Sequence, residues 1–103
     1  MLKNKVKHKL LNKILAETTV HDSSIHGLSH WKRVERNGLY LAQINNANTK
    51  VIQYFTFLHD CRRLHDGHDE GHGKRAAKYA QKLRADYIDL SDEDFELLSY
   101  CCT

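Results

Sequence analysis

The stretch from His59 to His72 reads His-Asp-Cys-Arg-Arg-Leu-His-Asp-Gly-His-Asp-Glu-Gly-His and holds four of the chain's eight histidines. Neutral imidazole and ionised carboxylate are the usual ligands of Zn, Mn or Fe, so this density points first to a divalent cation. His-Asp pairs begin at His21, His59, His65 and His68, more often than composition alone predicts. Position singles out His59-Asp60. The pair closes the most apolar segment of the chain, Val51 to Leu58, where a carboxylate is partly desolvated. An unpaired buried carboxylate is costly, and a cation is a common remedy. Successive helical residues point about 100° apart, so one ion touches both side chains only between them at the helix surface. A third ligand must come from another helix. His30 is the best candidate, on a stripe with Val34 and Leu41 that should face the core; the alternative is a hydrogen-bonded core histidine.

Helices are needed to bring these pieces together. In the first segment, Leu2 to Glu17, residues Leu2, Val6, Leu10 and Ile14 recur every four positions with Leu11 and Leu15 beside them. This predicts an amphipathic helix with its lysines toward water. A packed helix with one solvated face suits so regular an apolar side better than a membrane-surface helix does. Thr18 to Gly27 is polar and loop-like. A second helix is predicted from about Leu28 to Ile44, with Trp31, Val34, Leu41 and Ala42 inward. Gly38 inside it costs about 1 kcal/mol relative to Ala, unless a neighbouring helix requires the close approach. Asn45, Asn46 and Asn48 supply a turn. A third helix starts near Thr49, carries Val51, Ile52, Phe55 and Leu58 on one side, and should be central. Leu64 to Gly73 is a loop with three of the five glycines. Helical spacing resumes from Lys74 to Ala85. Ser91, with Asp94 three residues on, resembles a capping box and opens a last helix through Phe95, Leu98 and Cys102. The expectation is an all-α domain of about five helices spanning residues 1–103, with a basic amphipathic helix at 1–17 and the site-bearing region at 26–103.

In this order the motifs resemble the HD-domain superfamily of metal-dependent phosphohydrolases, in particular small bacterial HD proteins. The resemblance rests on His26-Gly-Leu-Ser-His30-Trp-Lys-Arg33-Val34, on Phe57-Leu-His59-Asp60, and on Asp66, Asp69 and His72-Gly-Lys-Arg-Ala-Ala77. It covers the chain from about His26 onward. It implies an HD-like helical bundle and His30, His59 and Asp60 as the metal ligands. The family adds a later Asp. None of Asp86, Asp89, Asp92 or Asp94 has its context, so the chain is expected to lack that fourth ligand and to stop within its final helices.

The reaction this implies is hydrolysis of a nucleotide or other small phosphate ester by water that a divalent ion (Mn, Fe, Ni, Co, Mg or Zn) activates, with Asp60, Arg63 and His72 as catalytic residues. An Arg fork suits a phosphate bidentately, which favours Arg63 as a phosphate contact; the competing reading is a surface Arg paired with Asp66 or Glu70. His72 opens a helix, where backbone N–H groups favour an anion, and it could also protonate a leaving group. The plainer reading is a solvated loop histidine. Asp66 and Asp69 either orient these basic groups, carry a second metal or belong to a polar loop. His26 lies four residues before His30 and could share its metal, although Gly27 suggests that the helix only starts there. His8 and His21 read as surface residues, and Cys61 as small buried packing.

Composition narrows the partners. The chain has 103 residues and a net charge of +3, but Lys3, Lys5, Lys7, Lys9 and Lys13 all fall in the first sixteen residues, which hold no acid. The remainder is slightly acidic, which argues against a nucleic-acid partner; the partner that the resemblance implies is a small phosphorylated substrate. No apolar run is long enough for a membrane span, and the first residues make no convincing signal peptide. Three cysteines without a disulfide framework point to a reducing, cytoplasmic setting. The last helix is still apolar at Thr103, so self-association into a homo-oligomer is expected. Two further readings are a catalytically inactive or truncated HD fold that binds a metal or a phosphoryl group, and a His-rich structural zinc site. The absence of any Cys-x-x-Cys pair counts against the zinc site.

Overall fold

Helices form where the apolar spacing places them. The computed structural model describes residues 2–19, 27–64, 67 and 69–103. The expectations for His21, His26 and Asp66 lie outside these. In chain order the helices of the described residues are α1 (Asn4–Glu17), α2 (Leu28–Asn45), α3 (Thr49–Leu58), α4 (His72–Tyr87) and α5 (Asp92–Cys102), and no strand occurs among the described residues. The architecture is an all-α bundle.

Local chemistry sets the ends. Asn46 adopts a left-handed conformation, φ 58°, and closes α2; Asn tolerates that region better than most residues. Asn48 then caps α3, its side-chain oxygen accepting from the Val51 N–H at 3.1 Å. Ser91 caps α5 by accepting from the Asp94 N–H at 3.2 Å. The expected box is only half built, because the Asp94 carboxylate accepts instead from the Asn48 side-chain amide at 3.2 Å. That bond ties the start of α5 to the start of α3.

The most apolar helix is the central one, as expected. α3 packs against each of the other four helices. It is buried almost all round: Val51, Tyr54, Phe57 and Leu58 lie in the core with the polar Gln53 and Thr56, while Ile52 and Phe55 are half-buried. An apolar stripe on one side, the pattern the spacing suggested, would suit a peripheral helix; a central one has no solvent face to leave polar. Leu10 and Ile14 of α1, Trp31 of α2, Ala76, Tyr79, Ala80 and Leu83 of α4, and Phe95, Leu98 and Cys102 of α5 complete the core.

α2 departs from its predicted phase. Trp31 and Ala42 are buried, but Val34 is half-buried and Leu41 is 55% exposed. The inward row is Trp31, Glu35, Gly38 and Ala42. Glu35 is tolerated there because Lys7 approaches to 2.7 Å and the Gln53 amide donates to it at 3.0 Å. Gln53 in turn accepts from the Leu2 N–H at 2.8 Å. Lys7 thus faces α2, not water. A Cβ on Gly38 would stand 2.8 Å from Ile52 Cγ2, so the glycine is where α2 and α3 come closest.

Candidate metal centre

The His-Asp pair falls in the turn that ends α3, with His59 as the helix C-cap and Asp60 just beyond it. The turn is held from outside by the end of α1. Thr18 Oγ1 donates to the Cys61 carbonyl at 2.6 Å, and Thr19 Oγ1 donates to the Arg63 carbonyl at 2.6 Å. Arg62 Nη1 donates to the Glu17 carbonyl at 2.7 Å. The Thr18-Thr19 pair was legible only as a polar loop, yet its hydroxyls bond main-chain acceptors of the turn after α3, where the Thr19 N–H also donates to the Cys61 carbonyl at 3.3 Å.

Asp60 is the hub. Its carboxylate is buried, and its two oxygens face different neighbours. Oδ2 lies 3.3 Å from His59 Nε2 and 3.6 Å from His30 Nε2. Oδ1 lies 3.5 Å from Arg63 Nη1 and 3.6 Å from His72 Nε2. The structure therefore brings together all five residues predicted from the sequence: His30 from the first turn of α2, His59, Asp60 and Arg63 from the turn after α3, and His72 from the first residue of α4.

Hydrogen bonds on the far side of two imidazoles fix their tautomers. His59 Nδ1 lies 2.9 Å from the Phe55 carbonyl and 3.0 Å from the Thr56 carbonyl. A carbonyl only accepts, so Nδ1 carries a proton and Nε2 is the ring atom turned to Asp60. Phe55 stacks on the same ring, with centroids 4.7 Å apart and planes 21° from parallel, and holds its orientation. His72 repeats the arrangement: Nδ1 lies 2.6 Å from the Asp69 carbonyl, and Nε2 faces Asp60. An imidazole lone pair and a carboxylate oxygen brought within 3.3 Å require a shared cation between them, either a proton or a metal ion.

The His30, His59 and Asp60 group could hold a metal ion, with the His59–Asp60 pair already at the spacing of two ligands of one ion. With bonds of about 2.0–2.2 Å, two ligands of one ion stand roughly 3.0–3.5 Å apart. His30, His59 and Asp60 each offer one ligand atom, and these atoms all lie within 4.8 Å of one another. Asp60 is buried while both histidines are half-buried, so an ion held there would reach both the protein interior and the solvent side. A second partner of each ligand, as at His59 Nδ1, is the usual support of a metal-binding imidazole.

The remaining expectations resolve separately. Arg63 is buried, not a surface residue, and its Nη2 donates to the Gly67 carbonyl at 2.5 Å. Asp69 orients a basic group, though not one of those expected: its carboxylate pairs with Arg75 and accepts from the Leu64 N–H at 2.9 Å. Among the described residues the four later aspartates make their contacts away from this cluster, Asp86 through its main-chain carbonyl alone. The Asp86 carbonyl accepts from Lys9 at 3.2 Å, and Asp89 stands 3.8 Å from Lys50. Asp92 pairs with Arg84 at 2.5 Å, and Asp94 bonds Asn48. His8 is exposed. Cys61 is fully buried, and burial pushes its thiol up to about 12, which leaves it a packing residue. No helix among the described residues is long and apolar enough to cross a membrane. Comparison with protein-family models, with curated proteins and with solved structures returned no match.

Proposed function

We propose that this chain is an HD-like, metal-dependent phosphohydrolase acting on a small phosphate ester such as a nucleotide. The observation that supports the reading best is the division of the Asp60 carboxylate. One oxygen faces two imidazoles that could share an ion with it, and the other faces an arginine and a further imidazole. A cation bound by His30, His59 and Asp60 would lower the pKa of water and offset charge on a phosphoryl oxygen. His59 presents Nε2 to the ion because its Nδ1 proton is committed to main-chain carbonyls. Arg63 is a positioning residue that steadies Asp60 and would offer its guanidinium charge to a phosphoryl group bound beside it. His72 is the proton carrier: with its Nδ1 proton held by the Asp69 carbonyl, Nε2 is the atom that would take up a proton from water and pass it on to a leaving group.

A second reading has its own support. Among the described residues the clustered ligands number three, and Asp89, Asp92 and Asp94 pair elsewhere. A site with three protein ligands can hold a metal or a phosphoryl group without turning it over. One experiment separates the two. Phosphate release from a panel of nucleotides is measured with Mn, Co, Ni and Mg, before and after His59→Ala combined with Asp60→Ala. Turnover that the double variant abolishes supports hydrolysis. Metal bound with no turnover supports the binding module, and turnover unchanged in the double variant refutes both.

A further inference from the structure

On the other side of the same turn lies a groove of about 550 Å³, lined by Glu17, Arg62, Arg75, Lys78, Tyr79 and Lys82. We infer that this groove is a second, metal-independent binding site for a small linear oligophosphate. None of its residues belongs to the cluster around Asp60, so the inference does not depend on the proposed hydrolase activity.

Four cationic side chains face a single carboxylate in this groove, and that carboxylate is engaged. Glu17 pairs with Lys13 at 3.1 Å and accepts from the Tyr79 hydroxyl at 2.9 Å. The two guanidinium groups are held in place. Arg62 donates to the Glu17 carbonyl and lies 5.1 Å over the Tyr79 ring. Arg75 donates from Nε to the Arg62 carbonyl at 3.0 Å and pairs with Asp69. Each guanidinium has five N–H donors, and these contacts use one of Arg62 and two of Arg75. Fixing both forks before a ligand arrives lowers the entropic cost of binding it. Lys78 and Lys82 follow Arg75 along one face of α4 and are exposed, with Lys82 near enough to Glu17 to help hold its carboxyl below the usual range.

The shape and chemistry select the ligand. The volume lies in the range of small-molecule pockets, roughly 300–1,000 Å³. From Arg75 to Lys82 the helix rises about 10 Å, a span suited to several linked phosphoryl groups. Apart from the Tyr79 ring and the cationic stems the lining offers little apolar surface, which disfavours a peptide with anchoring side chains. The basic first helix borders the groove, with Lys13 paired to Glu17, so a nucleic-acid strand is the competitor that tripolyphosphate must outbind.

The test uses inorganic tripolyphosphate and the full 103-residue chain, stripped of metal by a chelating resin, in isothermal titration calorimetry at low and high salt. The expected result is saturable one-to-one binding, weaker at high salt. Lys78→Glu with Lys82→Glu should weaken it at least tenfold, and Lys78→Gln with Lys82→Gln should weaken it by a smaller factor. Both residues are exposed, so circular dichroism should show an unchanged fold. His59→Ala with Asp60→Ala should leave the affinity unchanged. No saturable binding, or indifference to charge reversal, overturns the inference. So does loss of binding in the His59/Asp60 variant, which would place the anion at the metal centre. Tighter binding of a single-stranded RNA 12-mer than of tripolyphosphate overturns it in favour of a nucleic-acid surface.

Discussion

Asp60→Asn tests the metal centre through stability, without requiring a substrate. The substitution keeps the size of the side chain and leaves an oxygen for Arg63, but removes the charge that His30 and His59 would share with a cation. A metal that binds only the folded chain stabilises it by RT ln(1 + [M]/Kd). At a hundred times Kd this amounts to about 2.7 kcal/mol. For a domain of this size each kcal/mol moves Tm by about 4–8 °C, so the wild-type chain should melt about 10–20 °C higher with metal than after stripping. A neutral amide is a poor ligand for these ions, and losing one of three clustered ligands should weaken binding at least hundredfold. At the same metal concentration the stabilisation then falls to about 0.4 kcal/mol, a shift of about 2–3 °C. Thermal scanning of both chains with Mn, Co, Ni and Zn, each against a metal-stripped control, measures the difference directly. The stripped variant should melt lower than the stripped wild type, because buried Arg63 loses the charge of its Asp60 partner, so each chain is compared with its own stripped control. An Asp60→Asn variant that keeps the full metal-induced shift, or a wild-type chain that none of these metals shifts at millimolar concentration, would refute the proposed ligand set.

Three further outcomes follow from the packing. Burial pushes the Cys61 and Cys102 thiols up to about 12, so their thiolate fraction near neutral pH falls far below that of an exposed cysteine. A colorimetric thiol reagent should find one fast cysteine, the exposed Cys101, in the native chain and three after unfolding. Gly38→Ala would gain about 1 kcal/mol in an isolated helix, but its Cβ meets the stiff Ile52 side chain at 2.8 Å. Urea melts should show a net loss of about 1 kcal/mol; a gain would mean that α2 and α3 do not approach so closely. Glu35→Ala should cost about 2–4 kcal/mol in the same assay, because it leaves Lys7 and the buried Gln53 amide without their acceptor. Glu35→Gln, which keeps the acceptor but not the charge, should cost about half as much.

Much of this fold was legible because local and global signals agree. The Asn46 and Asn48 punctuation, the Ser91 cap and the apolar run of α3 each specify an end or a depth without reference to distant residues. The convergence of His30 with His59-Asp60 was legible from residue chemistry, because a carboxylate at the end of a buried helix needs partners from outside it. The supports around that pair were not. Thr18, Thr19 and Glu17 act through hydrogen bonds across more than forty residues of chain, and a polar residue after a helix looks the same whether or not it has such a partner.

The phase of α2 was misread for a reason that bears on the site itself. Hydrophobic periodicity weighs side chains by type, and Tyr40, Leu41 and Ile44 outweigh Glu35 and Gly38 although the structure exposes the first three. Glu35 can turn inward only because Lys7 and Gln53, from two other helices, compensate it, and Gly38 because Ile52 needs the space. With Trp31 rather than Leu41 leading the inward row, His30 sits one residue, about 100°, off the centre of the buried face. A histidine at the centre would be sealed in the core with no route for an ion. One opposite the centre could not reach Asp60. At the edge of the face it is half-exposed and its Nε2 stands 3.6 Å from a buried carboxylate oxygen, the position from which one side chain can serve both the interior and an ion arriving from solvent.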